Sequence, residues 1–397
     1  MDKITVKDMD IKNKKVLVRA DFNVPLDEKT GKITDDSRIR ATLPTINYLT
    51  NLGARVILCS HLGRPKGEVV EGLRLKPVAD HLSRLLGKDV HYSRSSIGPE
   101  AEKAVAAMNA GDILVLENIR FHPEEKKNDA GFAKELASLA NIYVNDAFGT
   151  SHRAHASIVG VTEYLPSCAG FLLEKEIAAL SSIIESPAHP FATLLGGAKV
   201  SDKVGVIENL MGKVDYILIG GGMAATFLKA NSYEVGQSLV EEDKIEVARS
   251  LMKKASENNI TLLLPVDVVV ADEVSKGARG TTVPVEEIPA DKKVVDIGPH
   301  TTSRFWDALQ KCKTVFWNGP MGIYEIPQFA AGTKALAETL SNLYATTIIG
   351  GGSTAEIVTE MQLAEKMTFV STGGGASLEF ISGNELPGIK ALPDKEK

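Results

Sequence analysis

Short apolar runs alternate with segments of helical periodicity along almost the whole chain. In the first half the runs begin at Val16 (V-L-V-R-A-D), Arg55 (R-V-I-L-C-S-H), Asp112 (D-I-L-V-L-E-N) and Asn141 (N-I-Y-V-N-D-A-F). Between them, apolar positions at helical spacing predict helices over 73–86 and 130–139. In the second half strand-like runs begin at Phe191, Tyr216, Thr261, Val294, Thr314, Thr346 and Thr368, most of them again separated by helical segments. This alternation implies parallel sheets with helices on both faces. A further helix is predicted over 167–184, long enough to bridge two domains. It is followed by E-S-P-A-H-P, whose two prolines stop a helix and mark a boundary near 185–190.

Length agrees with that boundary: 397 residues exceed one ordinary core, and roughly 150 residues per domain predicts two or three. Hydrophobic residues at 44% and charged residues at 24% place the chain among globular proteins rather than disordered or fibrous ones. A net charge of -6 argues against a nucleic-acid binder but leaves room for local basic patches that take small anions. Cys59, Cys168 and Cys312 are far apart and form no C-x-x-C pair, so they read as reduced core thiols and not as a zinc site. The first residues, M-D-K-I-T-V-K-D-M-D, hold no signal-peptide core, and no apolar run nears the roughly 18 residues that span a bilayer. The last five, P-D-K-E-K, form a polar tail. The expectation is a cytoplasmic protein with no membrane contact.

Five strand-like runs of the second half end in glycine: L-L-G-G-A-K at Leu194, L-I-G-G-G-M at Leu218, F-W-N-G-P-M-G at Phe316, I-I-G-G-G-S-T at Ile348 and V-S-T-G-G-G-A-S at Val370. In a parallel sheet these ends share the carboxyl edge, where open α/β folds bind ligands. Glycine admits close backbone approach, and helices that begin there aim free N–H groups at the same cleft. The combination suits a nucleotide with several phosphates. One such cluster could be no more than a tight turn; five on one edge make that the minority reading. No G-x-x-x-x-G-K-[ST] occurs, and no G-x-G-x-x-G follows the first strand, which removes P-loop and dinucleotide readings.

The charged residues divide in the same way. Lys199 and Lys203, just after Gly196 and Gly197, are spaced to share one face at a helix start and to meet phosphate oxygens. In the first half Asp21 and Asn23 end one strand, His61 and Arg64 another, and Arg120 and Arg153 follow two more, so that all should converge. Arg38 opens the first helix. Several arginines and a histidine with few carboxylates make a small-anion site, because guanidinium forks bind phosphate and carboxylate in bidentate fashion. His122, His152 and His155 read as supporting or structural, and Asp146 as a cap or as a group that orients an arginine. An arginine-rich half and a glycine-lined half together predict phosphoryl transfer across a cleft.

At this point V-R-A-D-F-N-V-P, S-H-L-G-R-P, L-E-N-I-R-F, G-T-S-H-R-A-H, L-L-G-G-A-K-V-S-D-K, F-W-N-G-P-M-G and V-S-T-G-G-G-A-S-L-E-F resemble the phosphoglycerate kinase family, in the family's order, from about Val16 to Leu392. The resemblance implies an α/β protein of two Rossmann-like, doubly wound parallel-sheet domains joined by a helix and hinge. It places a 3-phosphoglycerate domain over 1–170, the interdomain helix and hinge over 171–188, a nucleotide domain over 189–382, and a tail over 383–397 that returns to the first domain. It implies a monomer acting on 3-phosphoglycerate or 1,3-bisphosphoglycerate and ADP or ATP with magnesium, and no nucleic acid. Asp21, Phe22, Asn23, Arg38, His61, Leu62, Gly63, Arg64, Arg120 and Arg153 would hold the glycerate substrate, with Arg38 facing the phosphoryl group in flight. Gly197, Lys199, Lys203, Gly221, Gly298, Asn318, Pro320, Ile323, Glu325, Gly350, Gly351, Gly352, Ser353 and Thr354 would hold the nucleotide, with Glu325 at the ribose, Pro320 and Ile323 at the adenine, and Gly373 to Gly375 adding backbone donors. Arg38, Lys199 and Lys203 would be the catalytic cations.

The chemistry agrees. The attacking carboxylate has a pKa of about 4 and is already ionised at neutral pH, so no general base is required. What remains is positioning and charge neutralisation, and hinge closure to bring the substrates together. One position departs from the family: aspartate usually follows the G-G-G of the second-last strand, near the metal, and here that residue is Ser353. Ser353-Thr354-Ala355-Glu356 also spells a capping box, so Ser353 is expected to cap the helix while nucleotide phosphates hold the magnesium. A displaced carboxylate such as Glu356, or weaker magnesium dependence, are the alternatives. A nicotinamide dehydrogenase lacks its fingerprint here, and a non-catalytic relative has only Ser353 in its favour.

Overall fold

In the computed structural model, residues 2–27 and 29–395 are described; Met1, Glu28, and the tail residues Glu396 and Lys397 lie outside them. The chain divides into two compact units, Met1–Ala178 with Glu385–Lys397, and Ala179–Asn384.

The first unit is built on six parallel strands: β1 (Lys15–Arg19), β2 (Arg55–Cys59), β3 (His91–Tyr92), β4 (Ile113–Val115), β5 (Ile142–Asn145) and β6 (Ser167–Ala169), in the order β3-β4-β2-β1-β5-β6. Side chains alternate across a strand, so Val16 and Val18, Val56 and Leu58, Ile113 and Val115, and Ile142 and Val144 fall on one face. They pack there with Ile39, Ile46 and Leu49 of the Ser37–Asn51 helix and Val78 and Leu82 of the Lys76–Leu86 helix. The order reverses between β1 and β5, so the loops after these two strands flank the usual place for a ligand. Residues beyond Glu385 belong to this unit: Gly388 N donates to Ser151 O at 2.8 Å, and Asn145 Nδ2 donates to Gly388 O at 3.1 Å.

The helix expected over 167–184 starts later, as Phe171–Glu185, because β6 takes its first residues. Asp146 decides the start. Its Oδ1 accepts the N–H groups of Leu172 at 2.9 Å and Leu173 at 3.3 Å, which satisfies orphan donors of the first turn. Gly170 is needed beside it, since a Cβ there would lie 2.2 Å from that oxygen.

The second unit has a parallel sheet and a smaller antiparallel one. In chain order the strands are β7 (Phe191–Leu195), β8 (Tyr216–Ile219), β9 (Thr261–Leu263), β10 (Asp267–Ala271), β11 (Thr281–Pro284), β12 (Lys293–Ile297), β13 (Thr314–Asn318), β14 (Thr346–Gly350) and β15 (Phe369–Val370). The parallel sheet runs β15-β14-β13-β7-β8-β9, so the order reverses between β7 and β13. The five glycine-ended runs are therefore five adjacent strands with their carboxyl ends at one edge. The run at Val294, expected in a parallel sheet, is instead β12 of an antiparallel sheet β11-β10-β12 inserted between β9 and β13. Strand β11 (T-T-V-P) is mostly exposed, so it carries no apolar run to read.

Candidate active site

In the first unit the loops after β1, β2 and β4 lock together through a few side-chain bonds. Asn23 Oδ1 accepts the Gly63 N–H at 2.8 Å. Asn118 Nδ2 donates to Leu62 O at 2.8 Å, and Arg120 Nη1 to Gly63 O at 3.0 Å. Arg38, at the start of its helix, donates through Nη1 to Asp21 Oδ2 at 3.0 Å and Asn23 O at 3.2 Å. Phe22 and Leu62 are core side chains, so they contribute backbone and shape rather than contacts to a polar ligand.

The structure brings His61, Arg120, Arg153 and Arg38 together. Burial, then the charges of Arg19, Arg120, Arg153 and Arg38, push His61 well below its ordinary value, so its ring is neutral at physiological pH. Burial, then Arg19 and Arg153, bring Arg120 down to about 10, and it remains a cation at neutral pH. Arg120 Nε and Nη2 are buried with no protein partner. Buried guanidinium donors without acceptors, in a cluster rich in positive charge, call for an anion. Arg64 stands apart from these buried groups: it is exposed. Arg19 was missed from sequence. It is fully buried beneath the cluster, its Nε donating to Ser157 Oγ at 2.9 Å. The signal was present as a charged residue inside the apolar strand V-L-V-R-A.

In the second unit the edge is made of backbone. Gly196 N donates to Asn318 O at 3.0 Å and Gly197 N to Pro320 O at 2.9 Å, which ties the loops after β7 and β13. A Cβ on Gly196 would sit 2.1 Å from Pro320 O, and one on Gly221 2.6 Å from Gly197 N, so only glycine permits this approach. Two cavities open here and share Gly197 and Pro320. The larger, about 780 Å³, is lined by Val235, Leu239, Val240, Val295 and Ile323, together with Gly221 and Glu325. The smaller, about 220 Å³, is lined by Lys203, Asn318, Gly351, Gly352, Ser353 and Thr354, with Gly374 and Gly375. An apolar slot beside a glycine-lined cradle matches a base followed by its phosphates.

Lys203 is buried, bonds Asn318 Oδ1, and is brought down to about 8 by burial. Asn318 Nδ2 faces the cradle with no partner. Lys199 and Lys203 do not share a helical face: the helix starts only at Val204, Lys203 precedes it at the N-cap position without a side-chain capping bond, and Lys199 is an exposed loop residue. Thr354 keeps its hydroxyl for the Gly319 N–H, which it accepts at 2.7 Å. Gly350 packs on Phe316, and Gly298 lines neither cavity; its missing Cβ makes room for Asp267.

The expected capping box is absent. The helix runs Gly352–Glu360 with Gly351 at the N-cap, so Ser353 already lies in the first turn. Glu356 instead accepts the Tyr324 hydroxyl at 3.1 Å. The N-cap Gly351 sits at φ +88°, a backbone conformation that favours glycine. The cradle carries no carboxylate, and among the described residues no group of three or more His, Cys, Asp or Glu is placed to hold a metal ion. No helix among the described residues is long and apolar enough to cross a membrane.

Comparison with known proteins agrees with this architecture. The family model described as phosphoglycerate kinase matches residues 6–384. The phosphoglycerate kinase of Pelotomaculum thermopropionicum is 55% identical, with all of both chains covered. That of Synechococcus elongatus is 57% identical over 97% of this chain and 96% of the relative. Among solved structures, phosphoglycerate kinase from Coxiella burnetii superposes with a TM-score of 0.87 at 41% identity, covering 98% of both chains. The Pyrococcus horikoshii enzyme does so at 0.86 and 33% identity, with the same coverage.

Proposed function

Because the chain belongs to the phosphoglycerate kinase family, we propose that its two sites divide one reaction: reversible transfer of a phosphoryl group between 1,3-bisphosphoglycerate and ADP, giving 3-phosphoglycerate and ATP. The observation that carries the assignment of the first unit is the pair of buried, unpartnered donors on Arg120 within the arginine cluster. There Arg120, Arg153 and neutral His61 take the 3-phosphate, with Arg64 closing from the exposed side. Asp21 and Asn23 take the hydroxyl and carboxyl end, with Gly63 and the backbone of Phe22 and Leu62 shaping the loop. In the second unit Val235, Pro320 and Ile323 hold the base, Glu325 the ribose, and the glycine cradle with Lys203 and Asn318 the phosphates.

The reaction then needs no proton removed. The acceptor carboxylate, with a pKa of about 4, is already a nucleophile at neutral pH. The protein supplies cations where charge spreads over the transferred group: Arg38 from one side, and Lys199 and Lys203 from the other. Closure that brings the two units' substrates together is part of this reading; small-angle scattering should show compaction when both are bound. Magnesium enters with the nucleotide as part of the substrate. The donor set fits that role and no other, since Thr354 and Asn318 are engaged and Ser353 is a neutral hydroxyl at the rim. When bound it neutralises phosphate charge. The same reading makes the protein a cytoplasmic monomer that acts on small molecules and not on nucleic acid.

Initial velocity with ATP and 3-phosphoglycerate, coupled to reductive removal of the product across a magnesium titration, tests the assignment. Turnover that saturates in both substrates is expected. No turnover at any magnesium level would leave a non-catalytic binding protein.

A further inference from the structure

Beneath the arginine cluster lies a carboxylate whose hydrogen bonds go to none of the residues assigned to substrate. Glu125, in the short Pro123–Lys126 helix, is fully buried. One residue engages both of its oxygens: Oε2 accepts the Ser157 N–H at 2.9 Å, and Oε1 accepts the Ser157 hydroxyl at 2.7 Å. Ser157 Oγ accepts from Arg19 Nε at 2.9 Å, and Arg19 Nη2 lies 3.3 Å from His61 Nδ1. The four groups form one chain from carboxylate to imidazole.

The direction of every bond in that chain is set by what each group can do. A guanidinium only donates, so Ser157 Oγ must accept from Arg19 and spend its single proton on the carboxylate. At the far end Arg19 Nη2 donates again, so Nδ1 of His61 must be the acceptor. The competitor for Nδ1 is Asp21 Oδ1, which would require the opposite tautomer. It stands 3.8 Å away, beyond hydrogen-bond reach. His155 Nδ1 is likewise too far from Glu125, at 3.6 Å, to divert the carboxylate. The neutral ring of His61 therefore carries its proton on Nε2. That nitrogen has no partner among the described residues, so its proton is left for an incoming anion.

We propose that Glu125 is a positioning residue: through Ser157 and Arg19 it holds His61 in the Nε2–H tautomer, so that the ring meets the anion with a donor rather than a lone pair. The kinetic consequence rests on the reading of this unit as the 3-phosphoglycerate site; the tautomer does not.

The test uses the full chain labelled with 15N-histidine, with the His61 signals identified by their loss in His61→Gln. The ring nitrogen shifts of the wild type should report the Nε2–H tautomer. In Ser157→Ala and in Glu125→Gln, whose amide cannot accept both Ser157 protons, the shifts should move toward a mixture. KM for 3-phosphoglycerate should rise roughly tenfold, the scale of one lost charge-assisted hydrogen bond, with nucleotide affinity unchanged. A wild-type Nδ1–H tautomer would overturn the proposal, and so would His61 shifts identical in wild type and folded variants. Should Glu125→Gln fail to fold, Ser157→Ala carries the same test. Shifts that move as expected in a chain that binds no 3-phosphoglycerate would uphold the positioning chain and sink the substrate reading instead.

Discussion

Each unit reverses its strand order within a six-stranded parallel sheet, though along different paths, and each proposed site lies at the carboxyl edge, yet the two proposed sites are built from opposite materials. The first uses side chains: guanidinium groups, a neutral imidazole, and carboxylates that orient them, with Asp21 at the surface of the cluster and Glu125 beneath it. The second uses backbone: glycines at strand ends, helix N-termini, and one buried ammonium. The difference suits the proposed ligands. A compact anion with charge at both ends needs forks aimed from several directions. A polyphosphate is long and can be followed by main-chain N–H groups, provided no Cβ stands in the way.

The sharpest way to break this comparison is to remove the one first-unit cation assigned to the transferred group. Arg38→Ala should lower kcat by ~10³-fold, in the range seen for arginines that stabilise phosphoryl transfer. KM for nucleotide should stay near the wild-type value. A loss confined to KM for 3-phosphoglycerate would make Arg38 a substrate anchor only. Next is the backbone half. Gly196→Ala places a methyl 2.1 Å from Pro320 O, and main chain cannot swing aside as a side chain can. Nucleotide affinity should fall by about 10- to 100-fold, from the 1–3 kcal/mol scale of overpacking, while 3-phosphoglycerate binding by calorimetry stays unchanged.

Lys203 sharpens the comparison, because it is the second unit's one buried charge at the cradle. Burial lowers it from 10.5 to about 8, so the fold disfavours its charged form. The cost is fully present below about pH 8 and disappears as pH rises toward 10.5. Denaturant unfolding of the ligand-free protein, measured relative to Lys203→Met, should therefore show stability increasing over that window by about 3 kcal/mol. Bound phosphates favour the ammonium, so nucleotide binding at pH 8.5 should take up protons, as calorimetry in buffers of different ionisation enthalpy would reveal. No uptake would mean that backbone alone holds the phosphates. The smallest effect belongs to Ser353→Asp, which should lower the magnesium midpoint several-fold, since a carboxylate is a far better ligand than a hydroxyl. A superimposable titration would show that the nucleotide alone governs metal use.

Much of this was legible in the chain. Continuous Val, Ile and Leu runs bounded by helices read as buried parallel strands, correctly except at Val294, whose run joins the antiparallel sheet, and the glycines at the ends of the others marked one edge. Arg38, Arg120, Arg153 and His61 converge because residues after parallel strands share that edge. Other features were not legible. β3 and β11 are too short or too exposed to leave a pattern. Lys199 and Lys203 carry helical spacing, but the chain delays its helix until Val204.

The sequence by itself determined the two parallel sheets, the edge that carries each proposed site and the kind of charge found there, because these follow from periodicity and from the sterics of glycine. Tertiary structure alone decided which charges are buried and what each one faces. Arg19 and Arg64 are the same residue type, yet one lies beneath the cluster and the other in solvent. The protonation of His61, the lowered Lys203 and the bonds of Glu125 depend on distances between residues remote in the chain, and no local pattern encodes them.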